Sequence, residues 1–91
     1  IQPGMILSNE PGYYKKNHFG IRIENLVYVD KKNGKLFFKN LTLVPIEKDL
    51  INFDLLTISE KNYLFKYHLD VYSKISKYLK QNEKKWLASL I

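Results

Sequence analysis

Ser8-Asn9-Glu10-Pro11-Gly12-Tyr13-Tyr14 and Gly20-Ile21-Arg22-Ile23-Glu24-Asn25 set the strand pattern of this 91-residue chain. Residues 5–9, Met-Ile-Leu-Ser-Asn, read as a short strand after the turn signal Pro3-Gly4, and Pro11-Gly12 breaks it. Residues 13–19 read as a mixed loop, and Gly20 opens the next segment. From Ile21 to Val29 the side chains alternate: Ile21, Ile23, Val27 and Val29 fall on one face, Arg22, Glu24, Leu26 and Tyr28 on the other. A loop of this length lets the second segment fold back beside the first and brings Glu10 and Glu24 together. Paired carboxylates on adjacent strands are what a two-metal hydrolase site uses.

Outward from these segments, Asn33-Gly34 between Lys32 and Lys35 is a two-residue hairpin signal, because both residues accept a positive φ. Leu36 to Leu43 supplies the returning strand, and Val44-Pro45 ends it. The period then changes. Thr57-Ile58-Ser59-Glu60 fits a capping box at a helix start. Leu64, His68, Val71, Ile75 and Tyr78/Leu79 recur at helical spacing, which predicts one long amphipathic helix to about Lys80. Gln81-Asn82 interrupts it, and Trp86, Leu87, Leu90 and Ile91 form a second short apolar stripe. Strands first and helices second make the fold class α+β.

The composition bounds what the chain can be. An apolar share of 45% is that of a globular rather than a disordered sequence. No uninterrupted apolar run is long enough for a transmembrane helix, so no membrane partner is expected. The absence of cysteine excludes disulfides and thiolate metal ligands, and is compatible with a reducing, cytoplasmic setting. The net charge of +6 invites a nucleic-acid partner, but all basic residues except Arg22 are lysines, and they are scattered. Readers of bases and phosphates favour the bidentate fork of arginine, so the lysines are read as solvated faces and no nucleic-acid partner is expected. Ile1, which runs almost at once into a strand, is read as the product of a cut.

Spacing alone leaves the two acids open. Arg22 and Glu24 lie two residues apart on one face and can form a simple ion pair, with Glu10 as a loop acid. Alternatively both glutamates ligate a metal pair and Arg22 steadies a ligand. Two carboxylates are too common for their spacing to decide.

The wording around them is more specific. Glu10-Pro-Gly-Tyr-Tyr14 with Phe19-Gly-Ile-Arg-Ile-Glu-Asn25 resembles the Xaa-Pro aminopeptidases (aminopeptidase P), metallopeptidases of the pita-bread fold. The resemblance continues through Leu41-Thr-Leu-Val-Pro-Ile46, Ile51, Leu56-Thr57, Glu60, Tyr67-His68, Val71, Ile75, Leu79 and Trp86-Leu87, and covers nearly the whole chain. It is to the C-terminal end of the large three-domain type. It implies that residues 1–45 are the C-terminal part of the pita-bread catalytic domain and residues 46–91 a helical C-terminal subdomain. Glu10 and Glu24 match the last two of the family's five metal ligands, which hold two divalent ions, usually Mn2+, and Arg22 matches an arginine that steadies a ligand. The family's substrate is a peptide with proline in second position.

The remaining ligands, two aspartates and a histidine, and the catalytic histidines lie upstream in the family and have no counterpart here. His18 is expected to be a plain surface residue, and His68 to pack or make one hydrogen bond. The chain alone is therefore expected neither to hold a metal pair tightly nor to hydrolyse peptides, and no residue of it is assigned a catalytic role. An upstream piece of the same enzyme, or a second copy docking through the apolar helices, is the expected partner. An interaction module without catalysis is the alternative reading. Isolated strands with uncovered apolar faces predict low stability or self-association.

Overall fold

Alternation becomes strand pairing in the first of two units, Ile1–Thr42, of a computed structural model that describes all 91 residues. Five strands form: β1 Ile6–Asn9, β2 Gly12–Lys15, β3 Phe19–Arg22, β4 Asn25–Lys32 and β5 Lys35–Asn40. β1, β4 and β5 make an antiparallel sheet with β4 in the centre, and β2 and β3 make a separate antiparallel ribbon.

The expected single strand from 21 to 29 is in fact two, β3 and β4, interrupted at Ile23 and Glu24. The expected loop from 13 to 19 divides between strand β2, through Lys15, a three-residue turn, Lys16 to His18, and the start of β3 at Phe19. Asn17 takes φ 62° there, and the His18 N–H donates to the Lys15 carbonyl at 3.0 Å. Asparagine tolerates the left-handed region, so this turn needs no glycine, which is why it is hard to see in the sequence. The Asn33-Gly34 turn forms as expected, with φ 52° and 77° between the paired Lys32 and Lys35. β5 stops at Asn40 rather than Leu43, because the Leu41 and Thr42 amides both turn to the Leu26 carbonyl and the Thr42 hydroxyl accepts from the Leu26 amide at 2.8 Å.

On β4 the alternation resolves into a buried set, Asn25, Val27 and Val29, and a more exposed set, Leu26, Tyr28 and Asp30. Ile21 and Ile23, expected on the same face as the valines, are exposed. Asp30 forms an ion pair with Lys39 on β5 at 3.1 Å. The neighbouring Lys31 amide, and then Lys39, hold its carboxyl below the usual range. Both partners are open to water, so the pair contributes little to stability.

The second unit, Leu43–Ile91, is helical. Two single 3-10 turns, Lys48–Leu50 and Phe53–Leu55, lead to α1, Ile58–Ile75. A capping box opens α1: the Glu60 amide donates to Thr57 Oγ1 at 3.1 Å, and the Thr57 amide donates to the Glu60 carboxylate at 3.2 Å. Thr57→Ala removes an acceptor from an otherwise unpaired amide and is expected to cost about 1 kcal/mol, read as a lower midpoint in urea without a change in slope.

The buried residues of α1 are Leu64, Tyr67, His68 and Val71, the spacing of one helical face. α1 ends at Ile75, not Lys80; Ser76–Tyr78 tightens into a 3-10 turn. Gln81-Asn82, expected as an interruption, instead begins α2, Gln81–Ser89, where the Glu83 carboxylate accepts from the Lys80 amide at 2.7 Å. The stripe of α2 buries Leu87 and leaves Trp86 exposed.

The coil before the helices is tied to α1 by side chains. Tyr67 donates its hydroxyl proton to the Val44 carbonyl at 2.8 Å and accepts from the Val44 amide at 3.4 Å. His68 Nε2 accepts from the Ile46 amide at 3.1 Å. The expectation of one hydrogen bond for His68 holds, and its acceptor role requires a neutral ring.

Candidate metal centre

The two carboxylates are placed by strand register. β1 pairs with β4 from Ile6↔Tyr28 to Asn9↔Asn25, and β2 pairs with β3 from Gly12↔Arg22 to Lys15↔Phe19. Two residues lie between the ladders on each side, Glu10-Pro11 and Ile23-Glu24, so the same register runs through the gap without a bulge. Glu10 therefore stands opposite Glu24, and Pro11 opposite Ile23. The Ile23 amide donates to the Pro11 carbonyl at 3.1 Å, but Pro11 has no N–H to return, and the ladder is interrupted there. The break that divides 21–29 into two strands is thus at the motif itself.

Alternation then puts Glu10, Gly12 and Tyr14 on the same side as Gly20, Arg22 and Glu24. Arg22 Nη2 lies 3.3 Å from Glu24 Oε2, with both side chains substantially exposed. The Tyr14 phenol, as a hydrogen-bonding neighbour, is the largest influence raising the Arg22 pKa above its usual value; Glu24 and then Glu10 add to it. Arg22 is thus paired with Glu24, with the Tyr14 phenol and the Glu10 carboxylate near enough to favour its charge. The ion pair and the carboxylate pair, open alternatives in the sequence, coexist on one face.

Glycines make room for this arrangement. A Cβ at Gly20 would stand 2.6 Å from Tyr14 Cδ1, so the ring lies directly over that glycine. A Cβ at Gly12 would stand 2.8 Å from the Ile21 carbonyl oxygen, 2.9 Å from Arg22 Cγ and 3.0 Å from the Tyr14 hydroxyl. Tyr14, to which no role was assigned from the sequence, thus reaches along the ribbon from Gly20 to Arg22. The signal that could have found it is the common parity of 10, 12, 14 and 20, 22, 24, legible only once the register is known.

The two glycines should respond differently to alanine. At Gly12 the obstacle includes backbone, and the substitution is expected to cost about 1–3 kcal/mol. At Gly20 the obstacle is the ring of an exposed residue that can swing away, so Gly20→Ala is expected to change stability little while releasing Tyr14 from Arg22. Urea midpoints of the two variants, with the Tyr14 ring shifts by NMR, check this; equal midpoints would refute it.

As metal donors, Glu10 and Glu24 are hard oxygen ligands suited to magnesium, calcium or manganese. The donor type fits, but the number does not complete a site, since no group of three or more His, Cys, Asp or Glu side chains converges to hold an ion. His18 lies exposed in the β2–β3 turn, and the Nε2 of His68 is engaged with Ile46. No helix is long and apolar enough to cross a membrane.

Known proteins are similar to this chain in sequence and fold. Residues 1–31 match the metallopeptidase family M24, and residues 34–90 match the C-terminal region of peptidase_M24. The class is therefore that of the metallopeptidases. The chain belongs to family M24, and Xaa-Pro aminopeptidases are among the relatives it matches. It is 47% identical to Xaa-Pro aminopeptidase 1 of Dictyostelium discoideum, over 82% of this chain and 13% of that protein. It is 43% identical to a probable Xaa-Pro aminopeptidase P of Sclerotinia sclerotiorum, over 91% of this chain and 15% of that protein. The crystal structure of the X-prolyl aminopeptidase of Caenorhabditis elegans, described as a cytosolic enzyme with a di-nuclear active site, superposes with a TM-score of 0.82 at 37% identity. That match covers 99% of this chain and 16% of the neighbour, so the α+β arrangement is that of the C-terminal part of a pita-bread aminopeptidase. The chain spans about one-sixth or less of the length of these relatives.

Proposed function

We propose that this chain carries the last two metal ligands, Glu10 and Glu24, of a dinuclear Xaa-Pro aminopeptidase, and that Arg22 holds Glu24 in place. The observation that carries the reading is the register, which sets Glu10 opposite Glu24 with Arg22 beside Glu24 at 3.3 Å. Glu10 and Glu24 would help to hold two divalent ions, manganese in this reading, which would supply Lewis acidity and an activated water for attack on the carbonyl that precedes proline. Glu10 and Glu24 contribute negative charge and fixed oxygen positions to that pair. Arg22, drawn to Tyr14 on one side and Glu24 on the other, restrains the Glu24 carboxylate and offsets part of the like-charge repulsion between the two acids.

On this reading residues 1–45 are part of the catalytic domain and residues 46–91 a C-terminal subdomain. The ligand count assigns hydrolysis of peptides with proline second to a complete enzyme, in which upstream residues supply the other donors. The chain alone has no such activity. The test is hydrolysis of an Xaa-Pro peptide by the purified chain with Mn2+ present: no turnover is expected, and turnover that is lost in Glu24→Ala would overturn the claim of incompleteness.

A second reading, an interaction module, is favoured by the exposure of Ile58, Phe65, Leu69 and Trp86 on the helical unit. The two readings are compatible in one protein, and a sizing column that shows a monomer at all concentrations would remove the second.

A further inference from the structure

Apart from the carboxylate pair, the helical unit contains a cavity of about 180 Å3 that the proposed chemistry does not use. Its walls are the side chains of Phe53, Leu64, Phe65 and Ile91, and its polar groups are Lys48, Lys61 and His68. No aspartate or glutamate lines it. We propose that this cavity binds a small monocarboxylate with a short apolar body, the carboxylate meeting the Lys61 and Lys48 ammonium groups and the His68 ring N–H, the body resting on Phe53, Leu64 and Phe65.

Three observations support the assignment. The first is the imidazole of His68. Its residue is only 4% exposed, and Nε2 accepts from the Ile46 amide, which places the proton of the neutral ring on Nδ1. The Nε2–Ile46 bond is the ring's hydrogen bond within the chain, no buried side-chain nitrogen or oxygen is left without a partner, and His68 is one of the residues that line the cavity.

The second is charge. Burial first, and then Lys48, lower the pKa of His68, so the Lys48 ammonium is close enough to oppose a second positive charge. Lys48 donates to the Ser89 carbonyl at 3.1 Å, a neutral acceptor. Lys61, one turn before Leu64 and Phe65 on α1, adds another cation at the rim. Cations converging on a partly apolar recess favour an anion, and a desolvated carboxylate bonded to N–H donors is the strong form of that interaction.

The third is size and lining. The volume is below the roughly 300–1,000 Å3 of sites for drug-sized ligands, so neither a nucleotide nor a large cofactor fits. Aromatic and aliphatic walls around few polar groups select an acid with an apolar body over inorganic phosphate.

Phenylacetate, its neutral isostere phenylacetamide, and inorganic phosphate are titrated into the full chain, with the His68 imidazole resonances as readout. Phenylacetate is expected to shift these resonances saturably and to raise the pH midpoint of His68, since a bound anion favours the charged ring. Phenylacetamide and phosphate are expected to do neither. Lys61 is exposed, so Lys61→Gln should leave the fold intact while weakening phenylacetate binding about fivefold. Phe65→Ala, also at an exposed position, removes one wall and is expected to weaken it further. Equal shifts with the amide would reduce the site to an apolar recess and overturn the proposal. So would saturation by phosphate, an absence of shifts with phenylacetate, or unchanged affinity in Lys61→Gln.

Discussion

In millimolar Mn2+ the amide signals of residues 9, 10, 12 and 22–25 are expected to broaden selectively, and Glu24→Ala should abolish that broadening. The expectation follows from the register that faces Glu10 toward Glu24 and from the hard oxygen chemistry of the pair. Affinity should be weak. Dedicated oxygen cages hold divalent ions at micromolar or tighter affinity with six to eight ligands, and sites with fewer charges fall to about 10⁻⁴–10⁻³ M. Two carboxylates, with a guanidinium 3.3 Å from one of them, lie at or beyond that weak end.

After dialysis against metal-free buffer, elemental analysis should find well under one ion per chain. Two retained manganese ions would mean that this chain completes the site with donors not assigned here. Equal broadening at Asp49 and Asp54, exposed acids of the helical unit, would mean unspecific binding. Arg22→Ala separates the roles further: if Arg22 only steadies Glu24, its loss should alter Mn2+ affinity by less than about tenfold, whereas loss of either glutamate should remove the signal.

Replacing His68 by alanine is expected to cost about 2–4 kcal/mol, because it empties a buried position and leaves the Ile46 amide without its acceptor. Acid should produce part of the same effect in the unaltered chain. Nε2 can accept from Ile46 only while the ring is neutral, and burial and then Lys48 both lower its pKa. The unfolded chain takes up the proton first, at about pH 6.5. The stabilising contribution is therefore complete above about pH 6.5 and is lost as pH falls through the lower value of the folded state. Melting midpoints between pH 8 and pH 5 should be flat and then decline, and His68→Ala should start lower and lack the first part of the decline. A decline of equal slope in the variant would show that other groups set the acid limit, and the clamp on Ile46 would then be unimportant.

Much of this protein could be read from its residues. Thr57 and Glu60 announced the start of α1, and Leu64, His68 and Val71 its buried face, because capping and a 3.6-residue period are local properties. Asn33-Gly34 announced its hairpin for the same reason, since a positive φ is a demand on the residue itself. The family was legible in the wording from Glu10 to Tyr14 and from Phe19 to Asn25.

Other features were not local, and the sequence reading misplaced or missed them. The ends of β5 and α1 were set by the Leu26–Thr42 bonds and by the 3-10 turn after Ile75. The strand break at Ile23 and Glu24 came from Pro11, a residue on the opposite strand, whose missing N–H has no local trace near Glu24. Register is a relation between two strands: a shift of one residue would send the same side chains to opposite faces.

Sequence by itself determined that the stretch from Glu10 to Asn25 is worded like a metallopeptidase and that strands precede helices. Only the tertiary structure decided that Glu10 faces Glu24, that Tyr14 lies across Gly20 and Gly12 toward Arg22, and that His68 turns one nitrogen to Ile46. The reason is physical: residue types and their spacing fix which groups are available along a chain, whereas hydrogen-bond register and steric room across it fix which of them meet.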